Sequence, residues 1–94
     1  MDEHLSEEEL KTQAVKFASW DTNEVEAEQI TRNIPFRQIP EFYREAGQEL
    51  NKVTKEWALK NNITFQMGPG HPRAPYDLRR KVEIREMLWR VYSG

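Results

Sequence analysis

The sequence predicts a mostly α-helical fold. We expect a single domain over residues 1–94, a compact bundle of about four helices with one short extended segment (63–67) and a Pro/Gly loop (68–75). Apolar residues recur every three or four positions in several stretches, which is the period of a helix with one buried face. Capping residues precede those stretches and prolines separate them. Ninety-four residues with 37% hydrophobic content suffice for one core and are too few for two.

The first helix is predicted over residues 6–20, after a terminus (1–5) that we expect to be disordered. Ser6 can accept a hydrogen bond from a free N–H group of the first turn, and Glu9 can bond back to the cap. Three glutamates in this turn also complement the positive end of the helix dipole. The apolar positions that follow have helical spacing: Leu10, Ala14, Phe17 and Ala18.

The second helix is predicted to follow a second group of capping residues, 21–23 (Asp-Thr-Asn). It must end near Asn33, because Pro35 disfavours a helical conformation in the residue before it. Its apolar stripe is narrow: Ala27, Ile30 and Ile34.

The third helix is predicted to begin at Pro40, whose missing N–H costs nothing in a first turn. Its stripe is the clearest in the protein: Phe42, Ala46, Leu50, Val53 and Trp57. Gly47 lies beside that stripe, where it either allows a close helix crossing or is merely tolerated. Asn61 and Asn62 form a plausible end, since asparagine accepts the left-handed conformation that terminates helices.

The stretch 63–67 alternates apolar and polar residues, which is the period of a half-buried strand. We expect it to pack as an extended segment, because no clear partner strand exists. The loop 68–75 contains three prolines and two glycines and should be neither helix nor central strand. An alternative is that residues 82–84 form a strand and pair with 63–67 in a hairpin.

The fourth helix is predicted from Tyr76 to Tyr92, with Asp77 as its cap. Its apolar residues cover more than half of the helical circumference, a wider arc than one packing surface requires. Arg80, Lys81 and Arg85 fall inside this arc. Either these side chains extend past apolar neighbours at the margin of the core, or part of the arc contacts a partner.

The expected core comprises Leu10, Phe17, Ile30, Ile34, Phe42, Leu50, Val53, Trp57, Val82 and Leu88.

The net charge of −2 conceals an asymmetry along the chain. Residues 1–50 carry twelve acidic and five basic side chains, and residues 51–94 carry four and nine. The two halves therefore have charges of −7 and +5, which either form complementary binding patches or cancel when the halves fold together. The absence of cysteine and of any long apolar stretch favours a cytoplasmic protein without a membrane partner.

Catalytic and metal-binding functions find little support. The two histidines, His4 and His71, are distant in sequence and have no ligand pattern around them. The glycines at 68 and 70 lack the GK[ST] sequence of a phosphate-binding loop. We therefore expect no catalytic residue, no metal site and no cofactor.

The sequence instead favours a non-catalytic, protein-binding accessory or regulatory module that acts through the 68–75 loop and the C-terminal helix. An alternative is a nucleic-acid-binding module using the basic stretch 73–90, although the sequence pI of about 5.7 is low for that role. A third alternative is a structural protein that self-associates. The residues predicted to bind a partner are Arg73, Tyr76, Arg80, Lys81, Arg85, Trp89 and Tyr92.

Overall fold

The protein is mostly helical, as the sequence predicts, and its helices pack as a bundle. The structure is a computed structural model, and it describes residues 4–64 and 73–94. Within these residues there are four α-helices and one short 3₁₀ helix, and no strand. The elements are α1 (Glu7–Ala18), α2 (Glu24–Arg32), a 3₁₀ turn (Phe36–Gln38), α3 (Ile39–Lys60) and α4 (Tyr76–Ser93).

The predicted start of α1 is confirmed. The Ser6 hydroxyl accepts a hydrogen bond from the Glu9 N–H at 3.1 Å, and the Glu9 carboxylate accepts one from the Ser6 N–H at 3.3 Å. This reciprocal pair is a capping box, which satisfies two of the donors that a helix start leaves free. The helix ends at Ala18, two residues earlier than predicted, so Trp20 lies beyond it.

The connection between α2 and α3 also follows the prolines. Asn33 terminates α2: its N–H donates to the Ile30 carbonyl at 3.1 Å, and the Ile34 N–H donates to the Thr31 carbonyl at 3.3 Å. Pro35 then precedes the 3₁₀ turn, and Pro40 occupies the first turn of α3, as predicted. The bend thus places the 3₁₀ turn, with the exposed Phe36, beside the start of the longest helix.

The end of α3 adopts the left-handed cap that the two asparagines predict. Asn62 has a φ of 54°, and the Ile63 N–H donates to the Ala58 carbonyl at 2.9 Å. This 6→1 hydrogen bond is the mark of a Schellman motif, which ends a helix by reversing the chain. Ile63 and Thr64 are not helical. The rest of the predicted extended segment (65–67), and the loop up to residue 72, lie outside the described residues.

The helix α4 begins at the predicted residue, but its cap lies two residues before the predicted one. The helix begins at Tyr76, and Pro75, with a ψ of 151°, occupies the cap position assigned to Asp77. The hairpin alternative is wrong for its second strand, because residues 82–84 lie within this continuous helix. The reason is that the eighteen-residue helix satisfies its backbone groups internally and needs no partner strand.

The core lies where α1 and α4 pack against α3, with α2 laid across α4 and α1. Phe17 of α1 and Phe42 of α3 meet at its centre, with ring centroids 5.6 Å apart in an edge-to-face arrangement. Six residues of the expected core are buried: Leu10, Phe17, Ile30, Ile34, Phe42 and Leu50. The other four pack against this core while remaining partly exposed: Val53, Trp57, Val82 and Leu88.

The predicted disorder of the N-terminus does not extend to Leu5. Its N–H donates to the Gln38 side-chain carbonyl at 2.9 Å, and its own carbonyl accepts from Gln38 Nε2 at 2.7 Å. Gln38 is buried, and Leu5 packs against the core. The buried amide thus satisfies both of its polar ends on the Leu5 backbone, which holds the chain in place before α1. Residues 1–3 lie outside the described residues.

Candidate functional site

Six of the seven predicted binding residues are spread along α4, and Arg73 lies three residues before it. Tyr76 and Tyr92 are separated by sixteen residues, or roughly 24 Å of helix. Two of the predicted residues, both exposed, lie at the N-terminal end: Arg73 and Tyr76. Three lie in the middle and contact other helices: Arg80, Lys81 and Arg85. Two are half-buried near the C-terminal end: Trp89 and Tyr92.

Arg80 links α4 to α2. Its guanidinium lies 3.2 Å from carboxylate oxygens of both Glu24 and Glu28, and 3.4 Å from Glu83 on its own helix. The pKa of this guanidinium is raised because hydrogen bonding and the charges of these carboxylates outweigh the opposing effect of desolvation. The basic half of the chain therefore neutralises part of the acidic half within one molecule, as the second interpretation of the charge asymmetry expects.

Lys81 is buried beneath the end of α1. Only 2% of its surface is exposed, and its ammonium donates to the Ser19 carbonyl at 2.5 Å. Ser19 is the C-terminal cap residue of α1, where carbonyl groups lack helical partners and the helix dipole favours a cation. Burial lowers the pKa of Lys81 from its ordinary value of 10.5, and the charges of Asp77 and Glu26 oppose this change.

Arg85 fills the space that Gly47 leaves on α3. Its Nε donates to the Tyr43 carbonyl at 2.7 Å, and its guanidinium lies 3.6 Å from the centroid of the Tyr43 ring. A Cβ at Gly47 would lie 2.7 Å from Arg85 Cζ, which is too close for unbonded carbon atoms. Gly47 therefore allows the close approach of α3 and α4 that the sequence left as one of two possibilities.

A row of aromatic rings continues from Arg85 to the 3₁₀ turn. Tyr43 and Trp89 have centroids 4.8 Å apart, Trp89 and Tyr92 5.6 Å, and Tyr92 and Phe36 5.1 Å. The Tyr43 hydroxyl donates to Glu86 at 3.0 Å. Burial raises the pKa of Tyr43, and the Glu86 carboxylate contributes in the same direction. The four rings thus contact one another in series, and their partly exposed edges form a continuous aromatic surface.

An apolar groove lies between α2 and α4, next to this aromatic row. Its volume is about 420 Å³. Ile34, Ile39 and Ile84 line it and are buried, whereas Phe36, Met87 and Val91 expose 58%, 50% and 68% of their surfaces. Because α4 turns its buried face toward α3, this flank of its wide apolar arc is left open to solvent.

A second and larger groove, of about 620 Å³, lies between α1 and α2. Among the described residues, Val15 is the only large hydrophobic side chain that lines it, and the others are polar or charged. The charges are of both signs, with Lys11 and Lys16 opposed by Glu8 and Asp21. We regard the α2–α4 groove as the better candidate site, because its exposed side chains are contiguous and apolar.

Metal binding finds no support in the described part of the chain, where no three potential ligand side chains come together. His4 is exposed, and His71 lies outside the described residues. In the same part of the chain, no helix has the length and apolar character needed to cross a bilayer.

Sequence reasoning missed four residues of this region: Tyr43, Phe36, Met87 and Val91. Phe36 could have been found as an apolar side chain in the rigid connector between two prolines. Met87 and Val91 belong to the wide apolar arc of α4, which the sequence already showed to exceed one packing surface. Comparison of the chain with protein-family models, with curated proteins and with solved structures found no significant match.

Proposed function

We propose that this protein is a non-catalytic module that binds another protein through the α2–α4 groove and the adjoining edge of the aromatic row. The observation that carries the proposal is the exposed apolar surface formed by Phe36, Met87 and Val91 around that groove. Contiguous apolar surface is costly in water, and in small domains it commonly marks a binding site. The half-buried Trp89 and Tyr92 supply the type of anchor that dominates binding energy at protein interfaces.

The arrangement of the basic residues favours a protein partner over nucleic acid. Arg80, Lys81 and Arg85 each bond to groups of the same chain, so their charges are engaged internally. Phosphate recognition requires cations that project together from one exposed surface. Of the seven residues predicted from sequence, the proposal therefore retains Trp89 and Tyr92 as contacts, and gives Arg80, Lys81 and Arg85 a supporting role beneath the surface.

The proposal is tested with two glutamate substitutions at matched exposure. Val91 lines the groove and Leu59 lies near the end of α3, and each exposes 68% of its surface. We expect the unaltered protein and Leu59→Glu to retain the same proteins from a nuclease-treated lysate. Val91→Glu should no longer retain them. Quantitative mass spectrometry measures this difference, and circular dichroism verifies that both variants are folded.

Two outcomes would contradict the proposal. Equal retention by Val91→Glu and the unaltered protein would exclude the groove as the binding surface. Loss of all retained material on nuclease treatment, together with a steep decrease of binding with salt, would favour the nucleic-acid alternative, because counterion release makes such binding depend strongly on ionic strength.

A further inference from the structure

The 3₁₀ turn connects the α2–α4 groove to the chain segment that precedes α1. Phe36, at one end of the turn, lines the groove and contacts Tyr92, with ring centroids 5.1 Å apart. Gln38, at the other end, is 4% exposed and bonds to Leu5. Because a 3₁₀ helix has three residues per turn, the Phe36 and Gln38 side chains project roughly 120° apart around its axis. The turn is therefore held from two sides, by the groove and by Leu5.

The contact between Gln38 and Leu5 pairs a side-chain amide with a main chain. The Leu5 N–H donates to Gln38 Oε1 at 2.9 Å, and Gln38 Nε2 donates to the Leu5 carbonyl at 2.7 Å. We call these two hydrogen bonds the Leu5–Gln38 latch. Because the latch uses only backbone atoms of Leu5, it depends on the position of the chain before α1 rather than on the side chain at position 5.

Release of Leu5 would leave the buried amide without these two partners. An unsatisfied polar group in the interior is costly, so the Gln38 side chain would have to turn toward water. The hydrogen bonds within the turn oppose this movement weakly. The Gln38 N–H donates to the Pro35 carbonyl at 2.8 Å in the 3₁₀ pattern, whose geometry is poorer than that of an α-helix, and helix ends open most easily. Movement of Gln38 would therefore carry Phe36 with it.

We infer that the chain before α1 regulates the groove: while the latch is closed, Phe36 stands in the binding surface, and release of Leu5 withdraws it. This inference rests on the proposed function and names how that site is controlled. Events that separate Leu5 from Gln38, such as proteolytic cleavage of the segment or its binding to another molecule, would weaken binding at the groove. The coupling is reciprocal, so a protein bound at the groove would in turn hold the latch closed.

Proline at position 5 opens the latch in the whole chain, because proline has no N–H to donate and its ring takes the place of that donor. The ¹⁹F signal of 4-fluorophenylalanine at position 36 reports the outcome. We expect Leu5→Pro to shift this signal toward its position in the unfolded chain, and to remove the nuclear Overhauser effect between the rings of Phe36 and Tyr92. The matched control is Leu5→Ala, which loses most of the side chain but keeps both hydrogen bonds and should leave the signal in place.

A methionine at position 38 distinguishes the latch from a general loosening of the N-terminal segment. Methionine fills similar space and has no amide to satisfy, and apolar replacement of buried polar partners is nearly neutral. Phe36 should therefore stay in place in Gln38→Met and in the double variant Leu5→Pro/Gln38→Met. If Leu5→Pro moved Phe36 equally with methionine and with glutamine at position 38, the amide would not transmit the change and the inference would be wrong.

The core supplies the control for folding, since the rings of Phe17 and Phe42 lie 5.6 Å apart there and give their own nuclear Overhauser effect. If Leu5→Pro loses this contact, Gln38→Glu opens the latch from the other side, because a carboxylate cannot donate to the Leu5 carbonyl. The same displacement of Phe36 is then expected. An unchanged Phe36 signal in the folded variant would overturn the inference.

Retention of proteins from a lysate separates this inference from the proposed function. The proteins that Val91→Glu loses should be retained at least about fivefold less by Leu5→Pro, and retention should recover in Leu5→Pro/Gln38→Met. If Phe36 moves while retention is unchanged, regulation by the latch is refuted and the binding function stands. If no retained protein depends on Val91, both proposals are wrong.

Discussion

Replacing Gly47 by alanine tests the central contact between α3 and α4. In an ordinary helix interior this change stabilises a protein, because alanine is favoured over glycine by about 1 kcal/mol. Here the added Cβ would lie 2.7 Å from Arg85 Cζ and 3.0 Å from Arg85 Nε. The guanidinium would have to move away from α3.

The cost of that movement follows from the contacts that Arg85 makes. Its hydrogen bond to the Tyr43 carbonyl involves a charged donor, and such bonds contribute about 1.5–3 kcal/mol. Its position over the Tyr43 ring contributes about 1–2 kcal/mol more in a largely desolvated site. Part of the free energy lost with these two contacts is recovered by new contacts of the guanidinium with water, and part by the higher helix propensity of alanine. We therefore expect Gly47→Ala to lower the free energy of unfolding by about 2 kcal/mol.

The measurement is urea unfolding monitored by circular dichroism, and the unfolding free energies extrapolated to zero urea are compared between the proteins. The Arg85→Ala background provides the control. Without the guanidinium, the three atoms nearest to the added methyl group are gone, so Gly47→Ala should there be neutral or stabilising by up to about 1 kcal/mol. The sign of the effect thus reverses between the two backgrounds. If Gly47→Ala alone were as stable as the unaltered protein, Arg85 would not be held against α3 as described.

Two further predictions concern the other cations of α4. Lys81→Met should remove a rise in stability toward high pH. Because burial lowers the pKa of Lys81, the folded protein loses this proton at a lower pH than the unfolded chain does. As pH rises toward 10.5, the unfolded chain therefore binds more protons than the folded protein, and the unfolding free energy of the unaltered protein increases relative to that of the variant. A difference in unfolding free energy between the two proteins that stays constant from about pH 7 to 10 would contradict this reasoning. The raised pKa of Tyr43 has the opposite effect on stability, but it cancels in this difference because both proteins retain Tyr43. Arg80→Met should lower the unfolding free energy slightly, since its ion pairs are partly exposed, and the loss should diminish in about 1 M salt. A loss that is the same in low and high salt would indicate a packing effect rather than ion pairing.

The local features of the fold could be predicted from short stretches of sequence. The capping box at Ser6, the end of α2 before Pro35 and the reversal at Asn62 each depend on residues within a few positions of one another. Such interactions form within one turn and hold whatever lies elsewhere in the chain. The exception is the start of α4, where Pro75 rather than Asp77 takes the cap position.

The candidate site could be predicted only in part. The wide apolar arc of α4 indicated more surface than one contact requires, and Met87 and Val91 are the residues left uncovered. The sequence could not show which flank of the arc remains exposed. That depends on the directions from which α2 and α3 approach, which are set by packing between elements distant along the chain.

The sequence by itself determined four helices, the start of α1, the end of α3 and the proline connection between α2 and α3, and it identified Arg80, Lys81 and Arg85 as cations within an apolar arc. Only the tertiary structure decided what those cations do. Their partners outside α4 include residues 42 to 62 positions away along the chain: Tyr43 for Arg85, Glu28 for Arg80 and Ser19 for Lys81. Helical periodicity is a property of neighbouring residues, whereas the partner of a long side chain depends on which helices meet. The arginines and lysine that resembled a binding surface in sequence are, in the folded protein, contacts that join α4 to its neighbours.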